Sequence, residues 1–129
     1  MIYGCGVDIE EIIRFEKYNL APLSSSFLST IYTQKELENY SSYKKFFTTC
    51  LALGFSCKEA FFKAFNMNVK DYDFKDIELI FLSDPANHRI SINFYAFAKS
   101  LMKNNKISLE SATYFFNESF VKFDCILIK

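Results

Sequence analysis

The chain has 129 residues, half of them hydrophobic, with 16 Phe and no Trp. That length holds one sizeable core but not two, and this much apolar material excludes a disordered chain. Lys and Arg (15) cancel Asp and Glu (15), so no global charge draws the protein to nucleic acid or an anionic membrane. Stacking of its many aromatic rings on single strands would need a basic groove that the charge balance does not supply.

Cys5, Cys50, Cys57 and Cys125 are scattered among apolar neighbours without a C-x-x-C pair, and His88 is the single histidine, remote in sequence from all four. A zinc site is not expected from that spacing. Cys57 beside Lys58 lacks the histidine a thiol nucleophile uses and reads as a small buried filler. The opening MIYGCGVDIEE turns acidic at once, unlike a secretory leader, and no apolar run reaches the ~20 residues of a membrane span. A cytoplasmic protein with reduced, buried thiols is the expected setting.

Taken in order, Met1 to Ile9 reads as a strand ending on the acidic cluster Asp8, Glu10 and Glu11. Glu11 to Tyr18 is short and amphipathic and predicts a helix. Ala21 to Ser26, with Pro22 and three serines, predicts a turn. Phe27 to Ile31 continues into Thr33-Gln34-Lys35-Glu36, a capping box that announces a helix through Tyr40. Ser41 to Lys45 is a polar break. Phe46 to Phe65 is then the long central helix, apolar on most sides. Asn66-Met67-Asn68 ends it, because Asn tolerates a left-handed backbone.

Asp76 to Leu82 and Arg89 to Asn93 alternate as strands about the turn Asp84 to Asn87, which predicts a hairpin. Phe94 to Lys103 is helical by pattern. Ala112 to Phe116 and Phe120 to Ile128 predict a closing hairpin with Asn117-Glu118-Ser119 at its turn. The sum is one α+β domain spanning residues 1–129, an antiparallel sheet packed on a dominant central helix.

Chemistry concentrates in Lys58-Glu59-Ala60 with Lys63 behind it. Glu59 and Lys63 stand one turn apart on a helix rich in Phe, where charge is costly to bury unless paired or metal-bound. The plain reading is a surface i,i+4 ion pair worth roughly 0.2–0.5 kcal/mol. Asp8, at the end of the first strand, offers a second carboxylate. Two carboxylates with open positions suit Mg²⁺, and Lys63 could neutralise a phosphate as a point charge.

Several segments in register carry a resemblance. Gly6-Val7-Asp8-Ile9 with Arg14-Phe15-Glu16-Lys17 resembles the G-V-D-I…R-x-E-K opening of the holo-[acyl carrier protein] synthases, the small bacterial 4′-phosphopantetheinyl transferases. Phe27-Leu28 with Tyr32-Thr33-Gln34-Lys35-Glu36-Leu37 is similar to that family's F-L…F-T-x-x-E-L segment. Leu51-Ala52, Phe55-Ser56-Cys57-Lys58-Glu59-Ala60 and Lys63-Ala64 resemble its L-A-x-R-F-A-A-K-E-A-x-x-K-A helix. Asp76-Ile77-Glu78-Leu79 resembles its D-I-E-V strand.

The resemblance implies transfer of the 4′-phosphopantetheine arm of coenzyme A to a serine of apo acyl carrier protein, releasing adenosine 3′,5′-bisphosphate. It implies Mg²⁺ held by Asp8 and Glu59, with Glu59 accepting the serine proton and Lys63 beside the pyrophosphate. It places Lys58 and Asn66 on the coenzyme and Arg14 and Lys17 on the acidic carrier protein. It also implies a homotrimer with active sites between subunits.

Three departures stand out. Gly54 replaces an Arg before the F-x-x-K-E-A run. Asn66 and Asn68 replace glycines. The family's S-x-S-H motif falls near Thr113-Tyr114-Phe115-Phe116, where no His occurs, and His88 reads as an exposed loop residue rather than a substitute. Two accounts follow: an active enzyme with a reduced ligand set, or a slow or inactive member that still binds carrier protein or coenzyme A. Retention of Asp8, Glu59 and Lys63 favours activity.

Overall fold

The computed structural model describes residues 1–19, 25–66 and 73–129. Its strands are β1 (Ile2–Glu11), β2 (Ile77–Phe81), β3 (Ile90–Phe94), β4 (Ser108–Phe116) and β5 (Phe120–Ile128). Its α-helices are α1 (Ser26–Ile31), α2 (Gln34–Ser41), α3 (Phe47–Phe65) and α4 (Ala96–Asn104). The strands form two antiparallel sheets rather than one, a three-stranded sheet in the order β1-β5-β4 and the separate hairpin β2-β3. The long helix α3 packs against the first sheet and against β2.

Local chemistry explains several boundaries. Strand β1 runs two residues past the expected Ile9 because Glu10 and Glu11 pair with Val121 and Phe120. The segment expected as a helix over Glu11 to Tyr18 is a 3-10 helix from Ile12 to Tyr18, whose N-cap Glu11 makes no side-chain cap. The stretch expected to run on from Phe27 splits into α1 and α2, because Tyr32 is extended and Thr33 starts a new helix with a complete capping box to Glu36. Strand β4 begins at Ser108, ahead of the expected Ala112, because Ser108 and Leu109 continue the pairing with β5. The expected turn at Ala21 to Ser26 lies mostly outside the described residues, as do Met67 and Asn68.

Glycine sets the contact that matters most. A Cβ on Gly4 would come within 2.0 Å of the Ala64 carbonyl oxygen, and one on Gly6 within 1.7 Å of that of Ala60. The α3 backbone therefore lies directly on the β1 backbone, which only glycine on the strand and alanine on the helix permit. Because strand side chains alternate, Asp8 and Glu10 follow Gly4 and Gly6 on this same helix-facing side.

On its other flank α3 meets the unpaired edge of β2. Side chains cap that edge: Asn39 brackets Phe81 through N–H and C=O, Tyr40 donates to the Leu79 carbonyl, and Glu36 accepts from the Leu79 N–H. Buried backbone groups without a strand partner are thus satisfied from α2.

Candidate active site

Helix α3 delivers Ser56, Glu59 and Lys63 to β1. The Ser56 hydroxyl donates to the Asp8 carbonyl at 2.9 Å. The Lys63 ammonium donates to the Val7 carbonyl and to Asp8 Oδ1, both at 3.0 Å. The i,i+4 spacing suggested that Lys63 would pair with Glu59; its ion pair is instead across to the strand. Asp8 is buried, and its Oδ2 has no hydrogen-bond partner. A buried carboxylate oxygen without a donor is costly and marks a position prepared for a further positive group.

Glu59 is half-buried beside Asp8. Burial pushes its carboxyl above the usual range, the Asp8 charge pushes the same way, and Lys63 opposes both. Glu10 joins them as a third acid that sequence reasoning did not select as a site residue. Burial and the neighbouring Asp8 carboxylate raise its carboxyl to about 8, against the pull of Arg14. The signal was present in the D-x-E spacing, since residues two apart on a strand share a face. Arg14 Nη1 reaches Glu10 Oε1 at 2.5 Å while its own side chain is mostly exposed. Lys17 is exposed, near the Tyr18 ring.

Other expected contacts lie elsewhere. Lys58, expected on a coenzyme phosphate, is fully buried with its donors taken by Glu36 Oε1 at 2.9 Å, Glu36 Oε2 at 3.0 Å and the Ile77 carbonyl. Its position facing α2 and β2, away from β1, leaves an anion no approach. Asn66 is the exposed left-handed C-cap of α3, at φ 56°. Gly54 is more than a missing Arg, because a Cβ there would come within 2.5 Å of the Tyr40 hydroxyl and 3.1 Å of the Tyr32 ring. The two tyrosines fill the room an Arg side chain would leave by.

The segment Thr113 to Phe116 lies in β4. Asp8 pairs with Phe123, which pairs with Tyr114, so a whole strand separates that segment from Asp8 within one chain. His88 is exposed, as expected, and stacks on the Tyr114 ring at 4.6 Å. Among the described residues no three His, Cys, Asp or Glu side chains form a ready metal cage. No described helix is long and apolar enough to cross a membrane.

Comparison with known proteins finds relatives of this sequence and of this fold. The family model for the 4′-phosphopantetheinyl transferase superfamily covers residues 4–116. The holo-[acyl-carrier-protein] synthase of Caldicellulosiruptor saccharolyticus is 36% identical over 108 residues, 84% of this chain and 81% of that protein. The holo-[acyl-carrier-protein] synthase of Geobacter sp. (strain M21) is 43% identical over 81 residues, 62% of this chain. That match spans 63% of the length of the Geobacter protein. The crystal structure of the Helicobacter pylori holo-[acyl-carrier-protein] synthase in complex with coenzyme A is 26% identical, with a TM-score of 0.71 over 96% of this chain and 99% of that one. The chain belongs to the 4′-phosphopantetheinyl transferase superfamily, within its family of holo-[acyl-carrier-protein] synthases.

Proposed function

We propose that this protein transfers the 4′-phosphopantetheine arm of coenzyme A to a serine of apo acyl carrier protein, in the cytoplasm and in service of fatty acid synthesis. The observation that carries the reading is Asp8, which gives one oxygen to Lys63 and keeps the other buried and unpartnered beside Glu59. That donor set fits Mg²⁺, which takes one or two protein carboxylates and leaves room for water and phosphate oxygens. Asp8 and Glu59 would hold the ion, which when bound supplies positive charge at the pyrophosphate of coenzyme A.

The remaining roles belong to the chain. Lys63 balances charge on the leaving phosphate from its seat between Asp8 and the Val7 carbonyl. Glu59, whose carboxyl is raised toward neutrality by burial and by Asp8, accepts the serine proton, the task for which such a shift suits a carboxylate. Asn66 borders the coenzyme at the end of α3. Arg14 and Lys17 offer exposed positive charge to the acidic carrier protein, where charge acts chiefly on encounter and register.

Residues 1–129 act as one domain, and three copies assemble around the outer face of the three-stranded sheet. That face exposes Tyr3, Val7, Ile9, Phe115 and Phe120, with Lys122 and Asp124 of β5 among them, and apolar side chains gathered on one exposed sheet face support an interface between copies. The separation of Thr113–Phe116 from Asp8 within one chain supports a site completed by a neighbour.

The test is direct. Apo acyl carrier protein incubated with the protein, coenzyme A and Mg²⁺ gains the mass of the phosphopantetheine arm, and the gain disappears in Glu59→Ala. Binding of carrier protein without any mass gain would overturn the transferase reading.

A further inference from the structure

The seam between α3 and β1 is smooth. It is made of Gly4 and Gly6 on the strand against Ala60 and Ala64 on the helix, backbone upon backbone. Where glycine meets alanine the seam has no interlocking side chains to fix the helix in rotation or along its axis, as knobs seated in holes would. Ser56 and Lys63 tie the helix to Asp8 and Val7 by hydrogen bonds, and the Lys63 end of that tie is half exposed. A second fixture, fully buried, holds the register from elsewhere.

The opposite side of α3 carries that fixture. At 100° per residue, Lys58 stands about 160–200° around the helix from Ser56 and Ala60. Its ammonium is fully buried and is held by both oxygens of Glu36 and by the Ile77 carbonyl. Glu36 is itself fixed from several directions. It caps the Thr33 N–H, accepts from the Leu79 N–H and receives the Tyr40 hydroxyl. Through one carboxylate, helix α3 is therefore tied to the start of α2 and to the edge of β2. A buried ion pair is weak evidence for stability, since well-packed apolar replacements often hold a fold as well. What the pair does supply is a single permitted position.

We propose that Lys58, with Glu36, is a positioning residue for the acidic site: it fixes the rotation and register of α3 so that Glu59 and Lys63 face Asp8. This rests on the functional reading above for its consequence in catalysis, but not for its geometry. Lys58 is fully buried and acts on the site only through the placement of α3.

The test uses the neutral pair Glu36→Gln with Lys58→Met, in which Gln keeps an acceptor for the Leu79 N–H and no charge is left buried alone. Three properties of the full chain are measured: thermal midpoint, Mn²⁺ affinity by calorimetry, and turnover split into kcat and the KM for carrier protein. The contact between Ser56 and Asp8 is also followed by NMR cross-peaks without metal. The double variant is expected to fold while Mn²⁺ affinity and kcat fall roughly 10- to 100-fold, the range typical of lost outer support. The carrier-protein KM is expected to hold, because Arg14 and Lys17 do not ride on α3. The Ser56–Asp8 cross-peaks are expected to weaken as α3 shifts on β1.

A folded double variant with wild-type kcat, Mn²⁺ affinity and Ser56–Asp8 contact would overturn the proposal. If the wild-type protein transfers nothing and binds no Mn²⁺ while the Ser56–Asp8 contact still changes in the variant, the functional reading fails and the positioning role stands. Should the double variant not fold, Glu36→Asp draws the carboxylate back while keeping its charge. The same readouts then apply, with smaller changes in the same direction supporting the role and unchanged values overturning it.

Discussion

Asp8 gives one oxygen to Lys63 and leaves the other without a donor. The Lys63 side chain is about half exposed but the Asp8 side chain is buried, so Lys63→Met strands a buried carboxylate without its cation. Urea unfolding is expected to lose on the order of 1–3 kcal/mol, while kcat falls on the order of 10²- to 10³-fold, as loss of a charge-stabilising group does. Turnover close to wild type in the folded variant would remove Lys63 from the reaction.

Glu10 carries a pH consequence of its own. It faces Asp8 and Arg14, with the charge of Glu59 also acting on it. Its folded carboxyl titrates at about 8 against an ordinary 4.5, so between those values the folded protein retains a proton that the unfolded chain has released. Stability associated with this group is therefore fully present below the ordinary value and declines as pH rises toward 8, by at most about 1.4 kcal/mol per pH unit. Urea unfolding across that range without divalent cation is expected to show the decline, and Glu10→Gln to flatten it. Parallel slopes in the two proteins would refute this account.

At the scale of elements, the contact between α3 and β1 decides where every acid of the site lies. Gly6→Ala would drive a methyl to within 1.7 Å of the Ala60 carbonyl, and the obstacle is backbone, which cannot rotate away. The helix must lift from the strand, with overpacking losses of about 1–3 kcal/mol or more. The expected outcome is a lower urea midpoint together with weaker Mn²⁺ binding, since Asp8 and Glu59 part. A Gly6→Ala protein with the wild-type midpoint would show that the seam is looser than its geometry indicates.

For the whole molecule, the outer sheet face sets the prediction. Val7 and Phe115 are about half exposed there, and in the proposed assembly a charge at either position would be stranded in a buried interface. Val7→Lys is expected to convert a trimer to monomers by sedimentation velocity, with each chain still folded and transfer lost. Wild-type protein that sediments as a monomer while catalysing transfer would exclude the assembly.

The sequence determined a good deal by itself. Aromatic density and helical spacing announced α3, the capping box announced α2, and alternation announced the hairpins, because each is written in neighbours along the chain. The Lys-Glu helix and its companion segments in register pointed to the family for the same reason. Tertiary structure decided what spacing could not. Lys63 pairs with Asp8, 55 residues away, rather than with Glu59 one turn off, because α3 lies against the glycine side of β1. Lys58 turns into the core toward Glu36, 22 residues away, because adjacent helical residues point about 100° apart. Glu10 becomes part of the site because a strand repeats its faces every second residue. Which charge meets which partner depends on how two elements are laid together, and only the packed molecule fixes that.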